Sequence, residues 1–341
     1  LTALLRRDKN NILLAKDAAA TYAIIDIGTL GGASSMPADV NNDVLVVGSS
    51  TISGDEGLAA FLWQEGSIVA LSSTGFLTSQ ALAINDAGLI GGTALSGTGQ
   101  TAAQWPLLWS GETVTKLETI DNAPGTARAI NNLGIVAGNT LVENENHLLL
   151  WQEGSLSQTI PISSGVGWAN GLNSAGQLVG TIENGEELST AFLWQEGSLT
   201  DLGSLGGTSS AANDINEAGQ IVGSASISGD LSSHAFLWYD GEMQDLGGLS
   251  KVLSATSSAN SINNLGIIVG QAQLDDEERA VMWQDGQIVD LNILLPPKTD
   301  WDLLLAAEGI NDEGWIVGIG LLAGEKRGFL LKPLPLAHQR F

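Results

Sequence analysis

One short phrase recurs along this chain, and few folds can accommodate it. It reads INDAG at Asn85, INNLG at Asn131, LNSAG at Asn173, INEAG at Asn216, INNLG at Asn263 and INDEG at Asn311, with a weaker VNNDV at Asn41. The steps between these asparagines are 44, 46, 42, 43, 47 and 48 residues. A second anchor keeps the same spacing. Trp63, Trp109, Trp151, Trp194, Trp238 and Trp283 follow at steps of 46, 42, 43, 44 and 45 residues, and Leu331 stands where a seventh is due. Together they define seven copies of one supersecondary unit, each of which must stack on its neighbours to bury its apolar faces.

Four short strands are predicted in each unit. In residues 211–247 they are AANDIN, QIVGSAS, HAFLW and EMQDLG, separated by the turn EAG, a loop and the hairpin turn YDG. Gly219 can take the positive φ that such a turn requires. The turns QEG at 64–66, 152–154 and 195–197 and QDG at 284–286 are equivalent to YDG. The strands are almost continuously apolar, as strands buried on both faces are. Four-stranded units of this length predict an all-β, seven-bladed β-propeller. Parallel β-helices use shorter coils, and helical solenoids need a period of 3.6 that is absent.

The ends bear on closure. The last unit has strands near 305–311, 315–320 and 327–332, with no fourth strand after them. YAIIDIGTLGG at 22–32 matches the fourth strand and crossing loop TDLGSLGG at 200–207. Strand 22–27 is therefore expected to complete the last blade and remove its open edge. The chain divides into a non-repeating arm (1–21), the propeller (22–333) and a tail (334–341).

Composition narrows the function. The chain has 341 residues, 43 of them glycine, and 43% are hydrophobic against 15% charged, which suits a packed core. Its net charge of −25 repels phosphates and anionic lipid, so neither nucleic acid nor an anionic membrane surface is expected as partner. No apolar run is long enough to cross a membrane as a helix. There is no cysteine, which excludes disulfides, thiolate metal sites and thiol nucleophiles. The start at Leu1 rather than Met is read as processing, in keeping with export. The arm runs against the general charge: Arg6, Arg7, Lys9 and Lys16 outnumber Asp8 and Asp17.

The pattern HAFLW..G...DLG.LGG..S.A..IN..G.IVG.S resembles the HAF repeat of bacterial extracellular proteins. The likeness is greatest over 190–241, where His234, Ala235 and Phe236 supply the triplet, and diverged copies extend over about 22–333. It implies an extracellular or cell-surface location more than any activity. The tail LKPLPLAHQRF lacks the hydrophobic C-terminal anchor of some similar surface proteins.

Candidate sites compete with structural roles. His147 and His234 each precede the repeat tryptophan by four residues, which marks a strand position shared by blades, and His338 stands alone in the tail. No catalytic residue is assigned. Asp26, Asp201, Asp245 and Asp290 recur at one place, where a carboxylate can accept backbone N–H bonds. Asp55, Asp230, Asp275 and Asp276 lie in acidic loops and are the weak candidates for calcium, with a solvated loop as the plainer reading. Calcium is the one cofactor considered. The repeat tryptophans are expected to pack between blades. Trp168 and Trp301 fall off that position and are the candidate ligand-binding residues. The glycines of LGG form turns, since no phosphate loop with its lysine is present.

In the arm, Leu4, Leu5, Leu13 and Leu14 with Arg6, Arg7 and Lys9 form a basic, partly apolar segment that could seat on an acidic propeller, its own or a neighbour's. A neighbour would give a head-to-tail chain of subunits. The expectation is a non-enzymatic extracellular scaffold for protein interaction or surface assembly. Two alternatives remain: a glycan-binding or carbohydrate-active propeller, and a calcium-dependent adhesion module.

Overall fold

The computed structural model describes residues 21–335, apart from 55–56, 74, 99–101, 144 and 186–187, together with the backbone of residues 6–7 and 13–14. Seven four-stranded antiparallel sheets stand in sequence order around an axis. Their inner strands, blades one to seven, are Gly31–Val40, Thr78–Ile84, Gly125–Ile130, Val166–Leu172, Gly206–Ile215, Ser257–Ile262 and Trp301–Ile310. The seventh inner strand starts earlier than the expected 305, because register shifts let it continue back to Trp301 along the second strand.

Closure is as predicted. Tyr22–Asp26 pairs with Glu325–Pro333 as the outermost strand of blade seven, with Ile24 opposite Leu331 and Ile25 opposite Leu330. Ile27 still donates its N–H to the Gly328 carbonyl at 3.1 Å. Pro333, which has no N–H, faces Tyr22 at a non-hydrogen-bonded pair of this ladder, so its ring removes no bond from it.

Seven apolar clusters fill the seven gaps between blades. In the gap between blades one and two, Val47, Ala60 and Leu62 meet Ala81, Ile90, Leu107 and Trp109. Alternation along each third strand builds this pattern: Phe61 and Trp63 turn to blade seven, whereas Ala60 and Leu62 turn to blade two. Both faces are buried, so both faces are apolar. Every repeat tryptophan faces the preceding blade. Trp109 donates its indole N–H to the Ser72 carbonyl at 2.7 Å and Trp151 to that of Glu118 at 2.6 Å.

Each inner strand carries a β-bulge at the same place, three residues before the repeat asparagine. A bulge bends the strand and re-aims its side chains. It also pushes an inner carbonyl against the second strand of the same blade, where the recurring IVG-type glycine sits. A Cβ on Gly180 would collide with the Trp168 carbonyl, and one on Gly138 with that of Thr126. This close approach is why glycine stands there in blade after blade.

Candidate binding channel

The repeat asparagines are the innermost fastening of the ring. The side-chain amide of each donates to the backbone carbonyl of the next: Asn41 to Asn85, and so through Asn131, Asn173, Asn216, Asn263 and Asn311 back to Asn41, at 3.0–3.1 Å. Each Oδ1 accepts the backbone N–H four residues on at 2.9–3.0 Å, which fixes its own turn. The side chain that served as a counting mark thus joins neighbouring blades into a closed circle. The Ser of the S.A..IN pattern makes a second such joint: Ser79, Ser210 and Ser257 accept N–H groups from the preceding blade at 2.9–3.0 Å.

Below this circle the bulges turn two successive residues into the channel in blades one to six, and Glu308 in blade seven. The cavity there measures about 510 Å³. The bulged residues, from blade one to seven, are Ala38, Leu82, Arg128, Asn170, Asn213, Asn260 and Glu308. The residues after them include Asp39 and Asp214. Both carboxylates bridge blades. Asp39 accepts N–H groups from Val40 at 2.8 Å and from Ile84 of the next blade at 2.9 Å. Asp214 accepts Ile215 N–H at 2.8 Å, and Ile262 N–H and the Ser261 hydroxyl of the next blade at 2.9 Å.

These acids touch the channel but are enclosed by protein. Burial pushes Asp39 up to about 7, with Asp214 and Asp86 adding to it against the two backbone donors. Burial likewise raises Asp214 to about 6 against its three hydrogen bonds. Glu308 is raised by burial, opposed by the Asn260 amide, and burial lowers Arg128. A folded-state value above the ordinary 3.8 means that the folded chain holds protons the unfolded chain has released. Stability is then lost as pH rises from about 4 to about 7, by up to roughly 1.4 kcal/mol per pH unit per group. Urea unfolding at several pH values should show this slope, and it should flatten in the double variant Asp39→Asn, Asp214→Asn whatever that variant's absolute stability.

Trp301 is buried at 9% exposure and meets Phe329 edge-on at 5.9 Å between ring centres. It shares a core cluster with Leu331 and fills volume that this smaller residue leaves. The expectation of Trp301 as a ligand-stacking surface is therefore corrected: it is core. Trp168 is half-buried on the inner strand of blade four, and the Arg128 guanidinium lies over its ring at 5.6 Å. It backs an arginine of the cavity wall and is absent from the wall itself. His234 meets the Asp245 carboxylate at 3.0 Å. Asp26, Asp201 and Asp245 each accept the N–H two residues on, at 2.7–2.8 Å, as a turn-forming carboxylate does.

Asp230, Asp275 and Asp276 sit at positive φ in turns, and Asp230 accepts the Thr208 N–H at 2.7 Å. Among the described residues no group of three His, Asp or Glu could hold a metal. Asp55 and His338 lie outside them. So do the arm candidates Leu4, Leu5 and Lys9; of Arg6, Arg7, Leu13 and Leu14 only the backbone is described, Arg6–Arg7 pairing antiparallel with Leu13–Leu14.

No protein-family model and no curated protein matches the chain. Solved structures do. The β-propeller domain of the Trilobed protease from Pyrococcus furiosus is similar with a TM-score of 0.58 at 12% identity, covering 93% of this chain and 97% of that one. That propeller has an open velcro topology, whereas blade seven here is closed. YCF48 bound to D1 peptide matches with a TM-score of 0.56 at 12% identity over 96% and 99% of the two chains. A virginiamycin B lyase variant from Staphylococcus aureus with quinupristin matches with 0.51 at 10% identity over 92% and 100%. At these identities the likeness establishes the fold: the protein is a seven-bladed β-propeller.

Proposed function

We propose that this propeller is a non-enzymatic interaction scaffold, exported and similar to HAF-repeat proteins, that seats a basic polypeptide segment on one face. The observation that carries this reading is the near absence of basic residues from one of its two acidic faces. Antiparallel order within a blade puts the turns after the first and third strands on one face. That face gathers Glu65, Glu112, Glu153, Glu196, Asp240 and Asp285 from the outer turns, and Asp43, Asp86, Glu217, Asp312 and Glu313 around the axis. Lys332 is the one basic residue beside these turns among the described residues. Lys116, Lys251, Arg279, Lys298, Lys326 and Arg327 stand toward the opposite face, interspersed there with carboxylates such as Glu118, Asp230, Asp275, Glu277 and Asp302.

A face of one sign steers partners of the other sign and repels its own kind. The basic arm joins the chain at Thr21, which continues the closing ladder at the turn end of blade seven by accepting the Leu334 N–H. Twenty residues can extend to roughly 66 Å, enough to cross its own propeller or reach another. YCF48, a propeller of like fold, is bound to a peptide in its structure, which is in keeping with a peptide partner.

Deleting residues 1–21 tests the proposal by sedimentation. The full chain should show a larger mass at low salt that falls as salt screens the contact, and the deleted chain should stay monomeric throughout. A full chain of monomer mass at every salt, whose melting point the deletion leaves unchanged, would remove both the trans and the cis forms of the arm reading.

A further inference from the structure

The channel cavity carries a pattern that the frame does not require. At the bulged position, blades three to seven supply Arg128, Asn170, Asn213, Asn260 and Glu308 in unbroken succession, while blades one and two supply Ala38 and Leu82. The three asparagines are pinned. Their amide nitrogens donate to the carbonyls of Ala212, Ala259 and Ala307 in the next blade at 2.8, 2.8 and 3.1 Å. That turns the acceptor end of each amide away from this bond; Asn260 Oδ1 takes the Ser258 hydroxyl at 3.2 Å. Asn170 Oδ1 is buried and accepts no hydrogen bond.

Arg128 has the opposite deficit. No carboxylate lies within ion-pair distance of it among the described residues, and its Nε is buried without a partner. Its guanidinium lies over the Trp168 ring, 5.6 Å from the ring centre. A buried arginine with no counter-ion is costly, and a planar fork held at one edge suits a bidentate carboxylate. Asp39 and Asp214 do not relieve it, because their oxygens already accept backbone donors. At the other end of the arc Glu308 has a single hydrogen bond, from Asn260 at 3.3 Å. Blades three and seven stand on nearly opposite sides of a seven-membered ring, so a cation site faces an anion site across the channel.

We infer that the channel binds a small zwitterion of the amino acid or dipeptide class, its carboxylate on Arg128 and its ammonium toward Glu308 and the amide oxygens of Asn170 and Asn213. A neutral polyol would leave Arg128 without an anion. A simple dicarboxylate would meet Glu308, Asp39 and Asp214. The cavity volume lies within the range of about 300–1,000 Å³ typical of small-molecule sites. This site is separate from the acidic turn face, and either can fail without the other.

The test is calorimetry on the full chain with the common α-amino acids and glycyl dipeptides, against acetate, methylamine and glucose. At least one zwitterion should bind with a Kd below about 1 mM, at least about tenfold tighter than acetate or methylamine. Arg128→Gln and Glu308→Gln should each weaken it about tenfold or more. Should either variant fold poorly, the Nε–H resonance of Arg128 in the unaltered protein gives a second readout, and it should shift on adding the zwitterion. Silence from every zwitterion at about 10 mM, or a glucose complex that Arg128→Gln leaves intact, would overturn the inference.

Discussion

A chain lacking residues 1–27 is expected to lose cooperative thermal unfolding and to aggregate, while a chain lacking only 1–21 still unfolds cooperatively, its melting point lowered only by the loss of the arm's contact and of the two Thr21 backbone bonds. The difference lies in one strand. Ile24 packs into the cluster between blades six and seven, and Ile25 into that between blades seven and one. Ile27 is buried at 2% exposure in the second of these. Removing the strand strips the outer edge of Glu325–Pro333, exposes Phe329, Leu330 and Leu331, and leaves an unpaired apolar edge of the kind that seeks other chains. A milder version is Ile27→Ala, expected to cost about 2–4 kcal/mol as a buried large-to-small change. Circular dichroism melts and size-exclusion chromatography of the two deletions decide the matter. Unaltered melting without residues 1–27 would mean that the ring does not depend on its closure.

The second large effect is expected at the asparagine circle. Asn131→Ala removes the donor to the Asn173 carbonyl and the acceptor of the Leu133 and Ile135 N–H groups. Two backbone N–H groups then lose their partner, and the Asn173 carbonyl keeps only the Gly176 N–H, near a side chain that is only 3% exposed. At about 1–3 kcal/mol for each buried orphan, partly relieved by water at the channel mouth, the loss should be about 4 kcal/mol. Asn131→Asp keeps the acceptor but sets a carboxylate oxygen against the Asn173 carbonyl, and it should be no better. Asn132→Ala is the control. Its side chain bonds exposed Asp86, so the cost should stay within about 1 kcal/mol. Urea denaturation measures all three. A loss below about 1 kcal/mol for Asn131→Ala would show that the circle is incidental to stability.

The frame was legible because it is written seven times. Period, strand count and the match of YAIIDIGTLGG to a fourth strand are properties of the chain's order, and register follows from them. What the asparagine does was not legible, since a recurring polar residue before a turn looks like a turn former until the neighbouring blade is in place. Nor was the bulge. It arises where the inner strand must bend, and only then do Arg128 and Glu308 enter one cavity although 180 residues separate them in the sequence. Trp301 misled for a related reason. It stands off the repeat position because its blade has Leu331 at that position, and its bulk compensates inside the same cluster. Departures from a repeat can thus be repairs to the frame as well as sites.

The front of the chain closes its last blade, and the ring depends on that closure. The chain has no cysteine, so two can be introduced without competition. Tyr22 and Pro333 face each other at a non-hydrogen-bonded pair of the closing ladder, as the bonds from Leu334 to Thr21 and from Ile27 to Gly328 require. Such pairs have Cα atoms about 4.5 Å apart, within the range a disulfide spans. Tyr22→Cys with Pro333→Cys should form an intramolecular disulfide in the folded protein under mild oxidation, read by mass spectrometry after digestion, and raise the melting temperature. Two free thiols in the folded chain, or disulfides only between chains, would contradict the closed ring.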